Sequence, residues 1–360
     1  MAATIVTSAL AVLVLLGLGA CSSAPRRGEE CRGGGPFENQ APYDAKSLWS
    51  VMKWKAGSEP APWPEWIESQ PGSVPPPGDG EEDLQVTFIN HSTVLLHYHG
   101  LNILTDPIWS ERPSPVGFAG PRRVRAPGVK LEDLPALDLL LITHDHYDHL
   151  DLPTLRQLAG RHQPLVLTGM GNGEMLRQAG FTRVEELCWW GSRQVGSLTV
   201  HFTPTQHFSG RGLFDRMMTL WGGFVLESPH GHVYFAGDTA VGPQDGQLAA
   251  RFKGFRLSLL PIGAYQPRWF MKGVHVNPKE ALESHLTIRS AQSVAIHFGT
   301  FAGLADDGPD EPLEELAQAL ADKGLDPAVF RVPGFGETLK IGRSNLNVEE
   351  AKDDREASGL

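Results

Sequence analysis

From Gln85 to His297 the apolar positions come in short runs, not in long amphipathic stretches. β-Rich runs at Gln85–Ile89, Val94–Tyr98, Asn102–Leu104, Leu139–Thr143, Leu165–Thr168, Leu198–Phe202, Gly223–Leu226, His232–Phe235, Leu257–Leu260 and Ser293–His297 each predict a strand. Helical spacing is found at Pro153–Ala159, Gly173–Ala179, Gly242–Lys253, Pro278–His285 and Glu311–Lys323. The early strands succeed one another as hairpins, whereas the later ones alternate with helices. That order predicts an α/β (α+β) fold of two sheets with helices on their outer faces. No internal repeat is visible in the residues.

The ends of the chain read differently. Residues 22–80 are rich in Pro, Gly and charge, with Pro75-Pro76-Pro77-Gly78 near the end, which predicts a tether. Part of it must pack, because Trp49, Trp54, Trp63 and Trp66 are too apolar to leave in water together. The first twenty residues carry no charge and are mostly apolar from Ile5 to Ala20, the pattern of an export signal or membrane segment. Leu18-Gly19-Ala20-Cys21 resembles the bacterial lipobox, which makes Cys21 the expected lipidation site, although no Lys or Arg precedes the apolar run. An uncleaved anchor and an ordinary signal peptide are the alternatives. All three place the rest of the chain outside the cytoplasm, in the lipoprotein case anchored to a bacterial envelope membrane and facing the periplasm or exterior. The expected organisation is a signal peptide at 1–20, a tether and packing segment at 21–80, a folded domain at 81–343 and a loose tail at 344–360.

Composition narrows the function. The 360 residues are 41% hydrophobic and 20% charged, ordinary values for a globular protein with a sizeable core. A net charge of −11 argues against a nucleic-acid partner, since phosphates are neutralised by clustered Lys and Arg. With Cys21 acylated, only Cys31 and Cys188 remain, so neither a disulfide framework nor a cysteine nucleophile is expected.

The strongest chemical signal is Thr143-His144-Asp145-His146-Tyr147-Asp148-His149, directly after the apolar run Leu139–Ile142. So many imidazoles and carboxylates at one strand end are expensive to bury unless a cation receives them. Neutral imidazoles and carboxylates suit Zn²⁺, and the spacing lets some of these residues serve one ion and the others a second. Three more candidates sit at the ends of β-runs: His207 after Leu198–Phe202, Asp238 after Tyr234-Phe235-Ala236-Gly237, and His297 after Val294-Ala295-Ile296. Ligands at neighbouring strand ends converge on one edge of a sandwich, where a rigid scaffold can hold two cations.

The segment His144-x-His146-x-Asp148-His149, followed by His207, Asp238 and His297, resembles the metallo-β-lactamase superfamily over about residues 35–335. The resemblance implies a four-layer αββα sandwich. It puts a first zinc on His144, His146 and His207, a second on Asp148, His149 and His297, and Asp238 between them, with other divalent metals able to take the same donors. Within the superfamily, Asn90-His91-Ser92-Thr93, Leu104-Thr105-Asp106-Pro107, Thr219-Leu220-Trp221-Gly222-Gly223, Pro261-Ile262-Gly263-Ala264-Tyr265, Pro267-Arg268-Trp269-Phe270-Met271-Lys272 and Ala295-Ile296-His297-Phe298-Gly299-Thr300-Phe301 resemble the N-acyl-phosphatidylethanolamine-hydrolysing phospholipase D group. That implies a phospholipid substrate, attack on phosphorus by a hydroxide shared between the metals, Asp148 and Asp238 as catalytic groups, and a homodimer. Cys188, Met217 and the Gly273-Val274 pair before His275 depart from the group's pattern. A lactonase or sugar-phosphate hydrolase of the same superfamily is the alternative activity, and a metal-bound but inactive envelope protein the alternative class.

Other polar residues carry two readings each. Asp106 either takes the second N–H of a ligating histidine or serves the turn before Pro107. Asp145 is either solvated or bonded within its turn. His275 and Gln266 fall in a segment that borders substrate in the resembling enzymes, though His275 could equally cap the helix near Pro278. Arg211 and Arg268 are either phosphate forks or structural ion pairs. His91, His97, His99, His162, His201, His230, His232 and His285 are expected to be ordinary hydrogen-bonded histidines, and Trp189-Trp190 to be core.

Overall fold

The computed structural model describes Cys31, residues 36–42, 46–76, Gly78, Gly80 and residues 82–343. The apolar run Ile5–Ala20 and Cys21, which carry the expected export signal and lipid anchor, lie outside the described residues, as does the tail from residue 344. Among the described residues no helix is long and apolar enough to cross a membrane. The described residues from 36 onward form one compact unit, and the account below concerns that unit.

In chain order the first half contains α1 (Leu48–Gly57), β1 (Leu84–Asn90), β2 (Thr93–Tyr98), β3 (Leu101–Thr105), β4 (Arg122–Arg123), β5 (Leu139–Ile142), α2 (Leu152–Arg161), β6 (Leu165–Gly169), α3 (Gly173–Gln178) and β7 (Val184–Leu187). There follow β8 (Ser192–Val195), β9 (Leu198–Thr203), β10 (Gly223–Glu227), β11 (Val233–Phe235), α4 (Gln244–Phe252), β12 (Leu257–Pro261), α5 (Arg268–Met271) and α6 (Pro278–Thr287). The chain closes with β13 (Ser293–Ile296), β14 (Phe301–Ala302), α7 (Glu311–Asp322), β15 (Phe330–Arg331) and β16 (Thr338–Ile341).

Two seven-stranded sheets result, ordered β16-β1-β2-β3-β5-β6-β7 and β15-β13-β12-β11-β10-β9-β8. Each is antiparallel where hairpins join its strands and parallel where helices intervene: β1-β2-β3 then β5-β6-β7, and β8-β9-β10-β11 then β12-β13-β15. The shared plan is invisible in the residues because it lies in connectivity. β5 is buried along its whole length and reads Leu-Leu-Leu-Ile, as a parallel strand covered on both faces must. On one side α2 contributes Leu155 and Leu158 to a core shared with Leu104, Leu140 and Val166.

The pairing of β16 with β1 (Leu84↔Ile341) brings the C-terminal strand back to the first sheet. Strands β7, β8, β15 and β16 escape a pattern-based reading because they are short or carry exposed polar residues such as Ser192, Arg193 and Gln194. Helix α1 escapes it as well, its apolar positions lying all round the axis, with Trp54 buried and Trp49, Val51 and Met52 exposed. Trp54 donates from Nε1 to Asp306 Oδ2 (2.9 Å), and Trp63 donates to the Asp307 carbonyl (2.9 Å). Much of the expected tether is therefore a belt pinned to the catalytic domain. Cys31 and Cys188 are both disulfide-bonded, which corrects the expectation that they stay unpaired.

Candidate metal centre

The strands deliver chemistry at one edge. β1 ends before His91, β5 before Thr143-His144, β9 before the Pro204–His207 turn, β11 before Asp238 and β13 before His297. Gly237 stands next to Asp238 with φ +61°, and a Cβ there would come within 2.6 Å of Thr143 Cγ2, so only glycine lets the β11 loop close on the His144 turn. His91, Asp106 and His297 also occupy the left-handed region, at φ 48°, 31° and 62°. Such backbone is held only where surrounding contacts over-determine it.

All seven candidates from the sequence meet here. His144, His146, His207 and Asp238 form one quartet and Asp148, His149, His297 and His91 another, the donor atoms within each lying within 4.8 Å of one another. In the first, His144 Nε2 lies 2.9 Å and His207 Nε2 3.2 Å from His146 Nδ1. Asp238 faces both: its Oδ2 is 3.6 Å from His207 Nε2 and 3.2 Å from His149 Nε2, and its Oδ1 is 3.3 Å from His297 Nε2.

Proton positions follow from the partners behind the rings. Thr143 Oγ1 gives its one hydrogen to Asp106 Oδ2 (2.6 Å), so His144 Nδ1, 2.9 Å away, must be the donor to Thr143. His207 Nδ1 donates to the Val274 carbonyl (2.8 Å), and His149 Nδ1 donates to Asp106 Oδ2 (2.7 Å). With those nitrogens facing outward, Nε2 of each ring is turned into the cluster, where a metal ligand presents its lone pair. His149 Nε2, His297 Nε2 and Asp238 Oδ1 are buried without a hydrogen-bond partner. Polar atoms are seldom left so, and a divalent cation is the group that fits them.

Electrostatics agree. Burial pushes His146 down to about 4 and His207 to about 3, keeping both rings neutral. Burial alone would raise Asp148 and Asp238, but His149 and its neighbours overturn that and hold both carboxyls well below the usual range. His149 and His297, which burial would lower, are raised by Asp238 and Asp148, His297 to about 9. The two carboxylates thus stay ionised, balanced by positive charge on His149 and His297 that a divalent cation can replace.

The remaining candidates separate. Asp106 is buried and accepts from Thr143 N (2.8 Å), Thr143 Oγ1 and His149 Nδ1, so it orients a donor of the second quartet. Asp145 accepts from Gly210 N (2.7 Å) and Thr219 Oγ1 (2.9 Å), tying the histidine turn to the 209–219 loop. Arg211 lies on the Tyr147 ring (3.9 Å) and donates to the Asp145 and Leu150 carbonyls (2.6 and 2.8 Å), which braces the turn from behind. Arg268 pairs with Glu280 (2.7 Å) and donates to the His275 carbonyl (2.9 Å), the structural ion-pair arrangement. His275 does not cap α6, whose capping box is Asn277 with Glu280. Its Nδ1 is buried, unpartnered and 4.0 Å from Asp238 Oδ2. Gln266 lines a groove of about 390 Å³ with Trp54, Ser58, Pro267 and Trp269. Met217, where the resembling group commonly has Asn, adopts φ +61°, a conformation Asn tolerates better.

Two further residues hold the centre. Asn39 clasps the His207 backbone, donating to its carbonyl (2.6 Å) and accepting from its N–H (3.1 Å). His91, expected to be ordinary, lies 3.0 Å from Asp148 inside the second quartet. The signal was present, since His91 also follows a strand end.

Known proteins share this plan. The chain matches the beta-lactamase superfamily domain across residues 101–298. It is 42% identical to an uncharacterized protein of Mycobacterium tuberculosis over 68% of this chain, and spans 66% of that relative's length. It is 37% identical to N-acyl-phosphatidylethanolamine-hydrolyzing phospholipase D 1 of Caenorhabditis elegans over 71% of this chain and 76% of that one. Among solved structures, an isothiocyanate hydrolase from Delia radicum gut bacteria superposes with a TM-score of 0.59 at 24% identity, covering 72% of this chain and 100% of the other, which shows the shared fold. With the family match spanning more than half its length and histidine–aspartate clusters converging at the sandwich edge, this chain belongs to the metallo-β-lactamase superfamily.

Proposed function

We propose that the protein hydrolyses a phosphodiester in a phospholipid headgroup, with two divalent ions, zinc by the chemistry of the donors, one held by His144, His146 and His207, the other by Asp148, His149 and His297, and Asp238 facing both. The observation that carries this reading is Asp238, whose Oδ2 lies beside His207 of the first quartet and His149 of the second while its Oδ1 reaches His297, the placement of a shared ligand. Divalent ions bound there supply Lewis acidity towards a phosphoryl oxygen and bring water towards ionisation near neutral pH. The chain's own groups do the rest. Asp148 and Asp238 keep negative charge at the centre, Asp106 fixes His149, and the buried, unpartnered Nδ1 of His275 is available to a substrate oxygen. The relative from Caenorhabditis elegans, named for N-acyl-phosphatidylethanolamine hydrolysis, supports the choice of substrate.

The surface supports a lipid as well. Phe214 is 95% exposed and Leu213 79%, on the loop that follows His207, and Trp49, Met52 and Trp269 are exposed on α1 and α5. Phe208 and Phe270 pack with Trp54 in one cluster, and the Phe208 ring lies 4.5 Å from that of His146, so apolar side chains reach the centre on this side. Exposed groups of this size mark interaction sites. A lipidated Cys21 in a bacterial envelope would hold the enzyme at high local concentration over membrane substrate, and acyl anchors need such a second contact.

The test is metal analysis of purified protein paired with product analysis on vesicles containing N-acyl-phosphatidylethanolamine, run beside a lactone panel. Release of phosphatidate and an N-acylethanolamine is expected. Lactone turnover with none of the phosphodiester would sink the lipid reading.

A further inference from the structure

His91 lies at the meeting point of the two sheets. Its N–H donates to Thr300 Oγ1 (2.9 Å), and its carbonyl accepts from the His297 N–H (2.7 Å). One residue thus joins the end of β1 to the end of β13 and fixes where His297 begins. Its side chain reaches the other way, with Nε2 3.0 Å from Asp148 Oδ2. Packing leaves the ring no choice of orientation: it lies 3.9 Å from the His297 ring and 5.3 Å from the edge of Phe301. Phe301 in turn carries the buried Arg123 guanidinium at 4.8 Å over its face.

An ionised carboxylate can only accept a hydrogen bond, so the proton in the His91–Asp148 contact sits on Nε2. A nitrogen that carries a proton has no lone pair for a metal. The same atom cannot hold Asp148 and ligate an ion.

We infer that His91 is a positioning residue for the second metal group: its Nε2–H holds Asp148 and its main chain holds His297, two donors fixed by a residue that is not itself a donor. The assignment rests on the two-ion reading above. Outer partners of metal ligands set ligand orientation, and their loss weakens metal affinity by about 10–100-fold. The expected defect is therefore confined to the second quartet, because no contact of His91 reaches His144, His146 or His207 among the described residues.

The experiment is a titration of the metal-free full chain with zinc by calorimetry and with cobalt(II) by visible spectroscopy, on wild type, His91→Leu and His91→Gln. Leucine fills the space without a donor, whereas glutamine presents an amide N–H near the position of Nε2. Thermal unfolding of both variants shows whether they fold. His91→Leu is expected to leave the first binding event within about twofold and weaken the second roughly 10–100-fold, while His91→Gln keeps the second within a few-fold. An unchanged second event in His91→Leu overturns the inference, as does equal weakening in both variants. So does a cobalt spectrum for the second ion in His91→Leu that shows a lost nitrogen ligand, since His91 would then be a donor. Wild type that binds only one ion removes the two-ion reading itself, an outcome distinct from all of these.

Discussion

The sandwich has two histidine-rich ends, and they are built on opposite principles. At the far end His99 meets Ser228 Oγ (2.6 Å) and Ser197 Oγ (2.8 Å), His201 meets Glu227 (2.6 Å), and His232 Nδ1 accepts from Ser228 N (3.2 Å). Each ring there is held by a serine hydroxyl, a carboxylate or a backbone N–H. At the metal edge the rings use their outer nitrogens on Thr143, Asp106 and Val274 and turn the inner ones on each other. Histidine content does not make a metal site. A set of lone pairs converging without donors does, because leaving polar atoms unpaired is costly unless a cation takes them.

The most severe way to break the edge is Asp238→Ala, which removes the carboxylate facing both quartets. Hydrolysis is expected to fall by roughly 10³-fold, about 4 kcal/mol of barrier, with bound metal reduced in elemental analysis. Full activity in that variant would remove Asp238 from the mechanism. A milder break is Asp106→Asn, which keeps the shape but weakens the acceptor for His149 Nδ1. Metal affinity is expected to drop about 10–100-fold, measured by competition with a chelating dye. The opposite end supplies the contrast: His201→Asn is expected to lose roughly 1 kcal/mol of stability in denaturant unfolding while metal content stays at the wild-type value. Metal loss in that variant would blur the distinction between the two ends.

Much of this was legible in the residues. Strand and helix runs such as Leu139–Thr143 and Pro278–His285 predict β5 and α6 to within a few positions, since apolar periodicity and an Asn-Pro start are local signals. The metal edge was legible because its ligands share one local feature, a place just after a strand. His91 shares that feature and was still read as ordinary, since its function lies in the distant partners Asp148 and His297, which no local pattern reveals. The belt around Trp54 and Trp63 was hidden for the same reason: its anchors, Asp306 and Asp307, are far along the chain. Arg211 and Arg268 show the limit from the other side, because a guanidinium's charge is evident in sequence but its acceptors are not.

Buried carboxylates extend the comparison. Asp148 and Asp238 are held ionised by imidazoles, whereas among the described residues Asp245 on α4 accepts its hydrogen bond from the Ser284 hydroxyl, 2.7 Å away on α6, and burial pushes its carboxyl from 3.8 up to about 6. The sign follows directly. A carboxyl whose folded pKa lies above its unfolded value binds its proton more tightly in the native state, so its contribution is full below pH 4 and is lost as pH rises through about 6. Above that, the native state carries a poorly solvated charge. Asp245→Asn keeps an acceptor for Ser284 and cannot ionise. The residue is only partly buried, so solvent screening reduces the full linkage value, and a gain of about 1 kcal/mol at pH 8 is expected. Thermal unfolding of the two proteins at pH 4.5 and pH 8 checks this, with the variant's advantage growing towards pH 8. An advantage that is the same at both pH values would mean that Asp245 is as well satisfied as the carboxylates of the metal edge.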